Sequence, residues 1–394
     1  MTDLIGALAP SLWDIDLDNF TVNLKEFPFG FWKNLGEAGS KCAHLTRAPL
    51  LPSTWQHLAT VYLVKGVHAT TAIEGNTLTE LEVMAIYKKE LTLPPSRLYL
   101  AKEVENVIKA MNEAWARPVT GPLSADEVCS MNARVLADLQ VADHVLPGKY
   151  RLAPVGVGRY ACPPAADVPR YMQSFIKWYN SFPESGSGLD IVGWSIIKAV
   201  AAHLYFVLIH PFGDGNGRTA RLIEWRTLDR AGIASVATHV LSNHYNLTRT
   251  RYYEMLDRAS IGRDMTSFFC YAVEGLVDQL ATQLDYIYGQ YDNLVYLDIV
   301  RQKTPGVSKE VVERRQELAL AISQAPAPGV PTGAIAGLNA TLAKRYADAS
   351  AKTLSRDLHA LEKAELIKNA KDGWVALTDP MFWRHRRELP KPKA

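Results

Sequence analysis

From Ser195 to Ile209 the chain is apolar and helix-forming, broken only by Lys198 and His203, and the next twelve residues cannot continue that helix. They read His210-Pro211-Phe212-Gly213-Asp214-Gly215-Asn216-Gly217-Arg218-Thr219-Ala220-Arg221, and a second apolar, helix-forming run, Leu222 to Leu228, leads away. A helix that is apolar on all sides must be surrounded by other elements, so the first run predicts the centre of a mainly helical core. A glycine-rich loop that opens the second helix offers free N–H groups, the positive end of a helix dipole and no side chain in the way. The pair therefore predicts an anion-binding loop set between two buried helices, with a titratable base at its head.

The rest of the composition bounds the class. At 394 residues, two or three structural units are expected. Hydrophobic residues at 48% and charged residues at 21% are ordinary for a globular chain, and the net charge of +2 gives no overall pull toward nucleic acid or anionic lipid. The charge is unevenly spread. Residues 301–394 carry 17 Lys/Arg against 10 Asp/Glu, leaving them at +7 and residues 1–300 at −5, which marks a C-terminal unit with its own partner. The four cysteines, Cys42, Cys129, Cys162 and Cys270, form no CxxC pair and have no His at zinc-ligand spacing. They read as reduced thiols in a cytoplasmic protein. Met1 to Asn19 carries four aspartates and no basic residue, unlike a secretory leader, and Ile196 to Ile209 is too short to cross a bilayer. No membrane association is expected.

Along the chain, apolar spacing is mostly helical. Residues 1–95 form an N-terminal section with a helix over Trp55 to Glu74, stopped by Gly75-Asn76. A further helix spans Leu100 to Trp115. Between Pro147 and Pro164, glycines punctuate short β-branched pieces and predict a hairpin. Helices resume at Val168 to Tyr179, at the run before His210, at Arg249 to Ala259 and at Met265 to Val300. The last offers a connector, a dimer seam or, more plainly, core packing. Gln302 to Ser308 reads as a linker. Beyond it come helices over Val311 to Ser323, up to Tyr346, and from Ala351 to Ile367, the last capped by Ser350. Asp372-Gly373 signals a second hairpin within Asn369 to Leu377. Three helices and a hairpin over residues 305–380 resemble a winged helix-turn-helix module, followed by a basic tail, 381–394, whose last residues, Glu388 to Ala394, are expected to be disordered.

The order of residues from His210 to Arg221 resembles the signature of the Fic family, HxFx(D/E)GNGRxxR, at every specified position. Glu103-Val104-Glu105-Asn106 with Ala110 resembles the helix that opens the Fic core, which would span residues 96–300. The resemblance implies transfer of a nucleotide monophosphate, usually AMP from ATP, to a protein hydroxyl. An imidazole near its ordinary pKa suits His210 to take the proton of a Ser, Thr or Tyr hydroxyl. Asp214 is a hard oxygen ligand fit for magnesium. Gly215 and Gly217 let backbone amides approach phosphate, and Asn216 can donate to the α-phosphate. Arg218 and Arg221 suit the β- and γ-phosphates, and the resemblance assigns the γ-phosphate to Arg221. The related Doc-type toxins, which transfer a phosphoryl group, carry Lys at the place of Gly217. Glycine there implies AMP transfer.

Thr70-Thr71-Ala72-Ile73-Glu74-Gly75-Asn76 resembles the inhibitory motif of that family, (S/T)xxxE(G/N). Read alone it is a helix end with a terminating glycine. With the central motif, the resemblance implies that Thr70, Glu74 and Gly75 belong to an intramolecular switch in which Glu74 pairs with Arg221. The 155–162 hairpin resembles the flap of the family, with Gly158, Arg159 and Tyr160 at its tip, and such a strand can hold an extended target segment. Tyr252 and Tyr253 match a tyrosine pair that lines the nucleoside pocket in relatives. Ser260 stands where relatives often carry Asn, a departure that touches adenine specificity.

The expectation is therefore a mainly α-helical, self-inhibited protein adenylyltransferase that uses ATP and magnesium. Its partners would be a protein target with an accessible hydroxyl, itself as a second acceptor, and a second copy through the long helix. Two alternatives stay open: the same fold using another donor such as UTP, and a DNA-binding regulator with a nucleotide-sensing core. In the 305–380 module, Lys344, Arg345, Lys352, Arg356 and Lys363 are interleaved with Asp348, Asp357, Glu362 and Glu365, which places nucleic-acid binding below a protein-interaction role.

Overall fold

The apolar run before His210 is a 19-residue helix, Ile191–Ile209, and almost every residue of it from Gly193 onward is buried. The computed structural model describes residues 22, 24–48, 50, 52–116, 121–183, 189–233, 237–325, 329–347 and 349–378. Met1 to Asn19, Asp348 and the tail 381–394 lie outside them. Backbone contacts divide the chain into two units, Met1–Leu284 and Asp285–Ala394.

In the first unit the helices are α1 (Phe29–Thr46), α2 (Pro52–Ile73), α3 (Glu80–Tyr87), α4 (Leu98–Ala116) and α5 (Ala125–Val135), followed by a hairpin of β1 (Gly156–Val157) and β2 (Tyr160–Ala161). Then come α6 (Val168–Ser181), α7 (Ile191–Ile209), α8 (Asn216–Arg230), α9 (Val240–Leu247), α10 (Arg249–Ser260) and α11 (Met265–Lys303), which runs through the division. Helix α7 lies at the centre, packed against α1, α6 and above all α8. Burying side chains such as Leu204, Phe206 and Leu208 contributes roughly 1.5–3 kcal/mol each. At 19 residues and a mean hydropathy of 1.7, α7 is long and apolar enough to cross a bilayer. The expectation that the run is too short fails because the helix starts earlier, at Ile191; its apolar surface is taken up by its own chain.

Local chemistry sets the helix ends. Asp190 caps α7, accepting from the Gly193 N–H at 2.8 Å. At the other end His210 is left-handed and Pro211 cannot continue the helix. Thr79 and Glu82 form a reciprocal capping box on α3, and Ser124 caps α5. Sequence periodicity alone did not single out α1, α3, α5 or α9. The 147–164 hairpin is shorter than expected, with pairing confined to Gly156↔Ala161 and Val157↔Tyr160. Its base is held instead by an isolated bridge, Tyr150↔Phe212.

In the second unit α12 (Lys309–Ser323), α13 (Ala340–Tyr346) and α14 (Ala351–Lys363) precede an antiparallel hairpin of β3 (Ile367–Ala370) and β4 (Gly373–Ala376). Leu318, Leu342, Leu358, Leu361 and Trp374 share its core with Tyr296 and Val300 from the end of α11. Asp357, buried, gathers Arg314, Arg315 and the Tyr346 hydroxyl. Helix α14 ends at Lys363 rather than Ile367. Glu365 turns left-handed, and the N–H groups of Glu365 and Leu366 return to the carbonyls of Glu362 and Leu361. Ser350 stands at the N-cap of α14 but makes no side-chain capping bond; its hydroxyl meets that of Thr353.

Candidate active site

The site is built where α7 stops and α8 starts. Gly215 adopts φ +76° as the residue before α8, a turn that a Cβ would strain, and the first N–H groups of α8 open into the cradle. Asn132 of α5 fixes this turn from behind. Its amide donates to the Asp214 carbonyl at 2.9 Å, and its oxygen accepts from the Gly148 N–H at 2.9 Å. Asn216 closes the loop on itself: its side chain accepts from the Phe212 N–H and donates to the Phe212 carbonyl at 2.9 and 2.8 Å. The amide expected to reach a phosphate is thus engaged in shaping the loop. The Asp214 side chain remains half exposed, with Oδ1 taking the Gly215 N–H.

His210 heads the loop at φ +50°, ψ +60°, a conformation that costs a non-glycine residue about 1–3 kcal/mol and has to be held by its surroundings. Its own N–H still donates to Phe206, at 2.9 Å. Its Nδ1 lies 3.3 Å from the Val207 carbonyl, which can only accept, so Nδ1 carries the proton and Nε2 is left as the base. Burial pushes the imidazole down to about 4, with the nearby Arg151 charge adding to the fall. That corrects the expectation of a near-ordinary pKa: the sequence marks the residue, and the depth of the loop sets its basicity.

The two motif arginines part company. Arg218 pairs with Glu103 of α4 and reaches Asp214 at 3.4 Å, and the same Glu103 carboxylate accepts from Asn76 at 2.8 Å. Arg221, fully buried, turns to the end of α2. It donates from Nε to the Thr70 hydroxyl at 2.7 Å, and from Nη2 to the Thr70 carbonyl at 3.0 Å and to Glu74 at 2.6 Å. Burial pushes the Glu74 carboxyl up, but the Arg221 charge and hydrogen bond outweigh it and hold it below the usual range. The geometry of Glu74 follows from how α2 ends. Asn76 N–H returns to Thr71 and Gly75 N–H to Ala72, a paired closure that needs Gly75 at φ +102° and leaves Glu74 as the last turn residue, aimed outward. A carboxylate at the negative end of a helix is unfavourable by about 0.3–1 kcal/mol, so its partner, not the helix, accounts for it.

The carboxylate also fills the cradle. A Cβ on Gly217 would come within 2.2 Å of Glu74 Oε1. Nη1 of Arg221 and Nε of Arg218 are buried without a hydrogen-bond partner among the described residues. Unmet donors beside a side-chain-free backbone are what a phosphate group fits. Among the described residues no cluster of three His, Cys, Asp or Glu could hold a metal, so an ion at Asp214 would need ligands from a substrate or from water.

Beside the loop lies a cavity of about 710 Å³, walled by Val207 and Leu208 of α7, Tyr253, Asp257 and Ser260 of α10, and the hairpin turn. The flap and nucleoside expectations converge on this one space. Arg159 pairs with Asp257, joining the Gly158-Arg159 turn to α10. Tyr160 is not a free tip residue: it is buried and donates to the Leu208 carbonyl at 3.0 Å. Of the tyrosine pair, Tyr253 faces the cavity and donates to the Ile73 carbonyl at 3.0 Å, at the end of α2. Tyr252 lies in the aromatic core, bonded to Nε2 of His203 and stacked on Tyr245. His203 is a fully buried core histidine. Behind it, burial pushes Glu224 up to about 8, leaving a neutral carboxyl that accepts from Tyr245.

Arg151, which no sequence pattern marked, is the largest omission. Its buried guanidinium donates to the carbonyls of His210, Ala153 and Pro163.

Residues 122–228 match the family model described as Fic/DOC family, a stretch that includes the whole loop and α8 as far as Leu228. The chain is 30% identical over 245 residues to a protein adenylyltransferase, fic-1, of Caenorhabditis briggsae, covering 61% of this chain and 44% of that protein. It is 29% identical over 246 residues to the protein adenylyltransferase Fic of Nematostella vectensis, covering 61% of this chain and 54% of the relative. The chain thus spans about half the length of these relatives. Among solved structures, it resembles a Fic family protein from Desulfovibrio desulfuricans with a TM-score of 0.56, 20% identity, and coverage of 87% of this chain and 91% of that one. It also resembles Fic-1 (residues 134–508) of Caenorhabditis elegans, with a TM-score of 0.52, 26% identity, and coverage of 66% and 73%. The stretch 122–228 thus matches the Fic/DOC family, and the chain has a mainly helical Fic fold and is distantly related to protein adenylyltransferases.

Proposed function

We propose that this chain is a protein adenylyltransferase whose resting state is held off by Glu74. The observation that carries the reading is Glu74 itself: its carboxylate bonds to Arg221 and lies against Gly217, in the space an anion would take. A Glu in the phosphate cradle of an otherwise complete loop supports both the chemistry and its restraint.

In this reading a target hydroxyl gives its proton to Nε2 of His210. Its oxygen forms a bond to the α-phosphorus of ATP, the bond to the β-phosphate oxygen breaks, and pyrophosphate leaves. The first-turn amides of α8 and the open donors of Arg218 and Arg221 receive the phosphate charge. Asp214 would hold magnesium, which supplies positive charge to phosphate oxygens. The 710 Å³ cavity accepts the nucleoside, and the hairpin above it lays a target segment beside the base. Glycine at 217, in place of the Lys of phosphoryl-transferring relatives, favours AMP as the group moved.

The test is label transfer from each α-labelled nucleoside triphosphate to protein. The Glu74→Gly variant should incorporate label from ATP at least tenfold faster than wild type, and Glu74→Gly with His210→Ala should incorporate none. Equal incorporation by wild type and Glu74→Gly rejects the restraint. No label from any triphosphate in Glu74→Gly rejects transferase activity.

A further inference from the structure

Carbonyl oxygens from three separate places converge on one buried side chain at the head of the loop. Arg151 donates from Nε to His210 at 2.8 Å, from Nη1 to Ala153 at 3.0 Å and from Nη2 to Pro163 at 2.5 Å. Its main-chain N–H adds a bond to the Pro211 carbonyl at 2.9 Å. His210 is the left-handed exit of α7 and Pro211 follows it, whereas Ala153 and Pro163 are the two legs of the flap hairpin. Between the legs, Cys162 N–H closes on Val155 at 3.1 Å. Among the described residues Arg151 has no carboxylate partner, so its planar fork is satisfied by the dipoles of these carbonyls.

We propose that Arg151 is a positioning residue that sets the distance between the His210 imidazole and the flap strand on which a target segment lies. This rests on the transferase reading above. Both ends of the proton transfer are then referred to one rigid group: the base through its own carbonyl, the acceptor hydroxyl through the strand that holds it. Lysine keeps the charge but, as a compact point donor, cannot span three carbonyls that face it from different sides. Arg151 makes no hydrogen bond to Glu74, Arg218 or Arg221, so nucleotide binding lies outside its reach.

The test uses Arg151→Lys and Arg151→Gln in the full chain, with and without Glu74→Gly. In the Glu74→Gly background both should lower kcat for protein labelling at least tenfold while the Kd for ATP changes less than twofold. The charged groups facing His210 are Arg151 from the hairpin base, Glu74 from the end of α2 and Asp214 from the loop. Arg151→Gln should raise the imidazole titration, and Arg151→Lys should leave it in place while losing kcat all the same. Amide exchange in Arg151 and Cys162 should quicken at least tenfold in both variants, with the Arg221 Nε–H signal, held by Thr70, unmoved. These last readouts need no turnover. A Glu74→Gly parent that labels nothing would defeat the transferase reading, and the exchange and imidazole signals would still decide the role of Arg151 in holding base and flap. Unchanged exchange and unchanged kcat in Arg151→Lys overturn the proposal. So does exchange that quickens evenly through α7 and α8 with ATP affinity lost in step, since that marks general loosening.

Discussion

The protonation of the imidazole at residue 210 is set by where it sits. Burial holds it at about 4, so it is neutral throughout the physiological range and ready to accept a proton, at the expense of basicity. Titration of the His210 ring by NMR in wild type should therefore give a midpoint nearer 4 than 6.5; a midpoint above 6 would mean that the loop is open to water. The residue scale also shows what sequence carries and what it does not. His210, Asp214, Gly217, Arg218 and Arg221 were legible because a short contiguous segment holds the whole cradle. Arg151 was not, because its three acceptors come from residues 153, 163 and 210 and no spacing in the chain announces their meeting. Tyr252 and Tyr253 show a third case: helix geometry requires neighbours to diverge, but only the packing tells that Tyr252 is the one turned inward.

At the scale of elements, the end of α2 carries Glu74, on which the proposed restraint depends. Its closure depends on Gly75 at φ +102°, where no neighbour would touch a Cβ, so a substitution there acts through backbone strain alone. Gly75→Ala should destabilise this helix end by roughly 1–2 kcal/mol. On the proposed reading it should also release part of the restraint, with label incorporation between wild type and Glu74→Gly and a lowered urea midpoint. Incorporation equal to wild type despite a lowered midpoint would separate the helix end from the restraint. Long apolar helices such as α7 and α11 were legible from periodicity. The short ones, α3 at eight residues and α9 at eight, were not, since two turns give too few apolar positions to define a face. Their existence rests on caps and on neighbours, as in the Thr79–Glu82 box of α3.

For the molecule as a whole, the buried histidines set the response to acid. Burial lowers His203, His210, His239 and His244, all in the Met1–Leu284 unit. Each folded value lies below the unfolded one, so the stability they contribute is complete above about 6.5 and is lost as pH falls. For each of the buried pair, His203 and His239, the slope is on the order of 1 kcal/mol per pH unit. Glu224 works in the opposite sense: raised to about 8, its contribution is complete below the ordinary carboxyl value and fades up to about 8. Four imidazoles outweigh one carboxyl, and the urea midpoint should fall between pH 7 and pH 5; an unchanged or rising midpoint would show that these rings are not held neutral. Charge asymmetry pointed to a separate C-terminal unit and periodicity to a long helix from Met265, but that the division falls inside this helix was hidden, because one helical period runs unbroken from Met265 to Lys303. The place of the Glu74 carboxylate, where a Cβ on Gly217 would collide with it, has a consequence beyond the restraint proposed for it. Two occupants that exclude one another from a single space are thermodynamically reciprocal: whatever factor the end of α2 takes from the affinity of an anion, the anion takes from the docking of α2. On the proposed reading, anything that grips or frees that helix end from outside then tunes nucleotide affinity without touching the site.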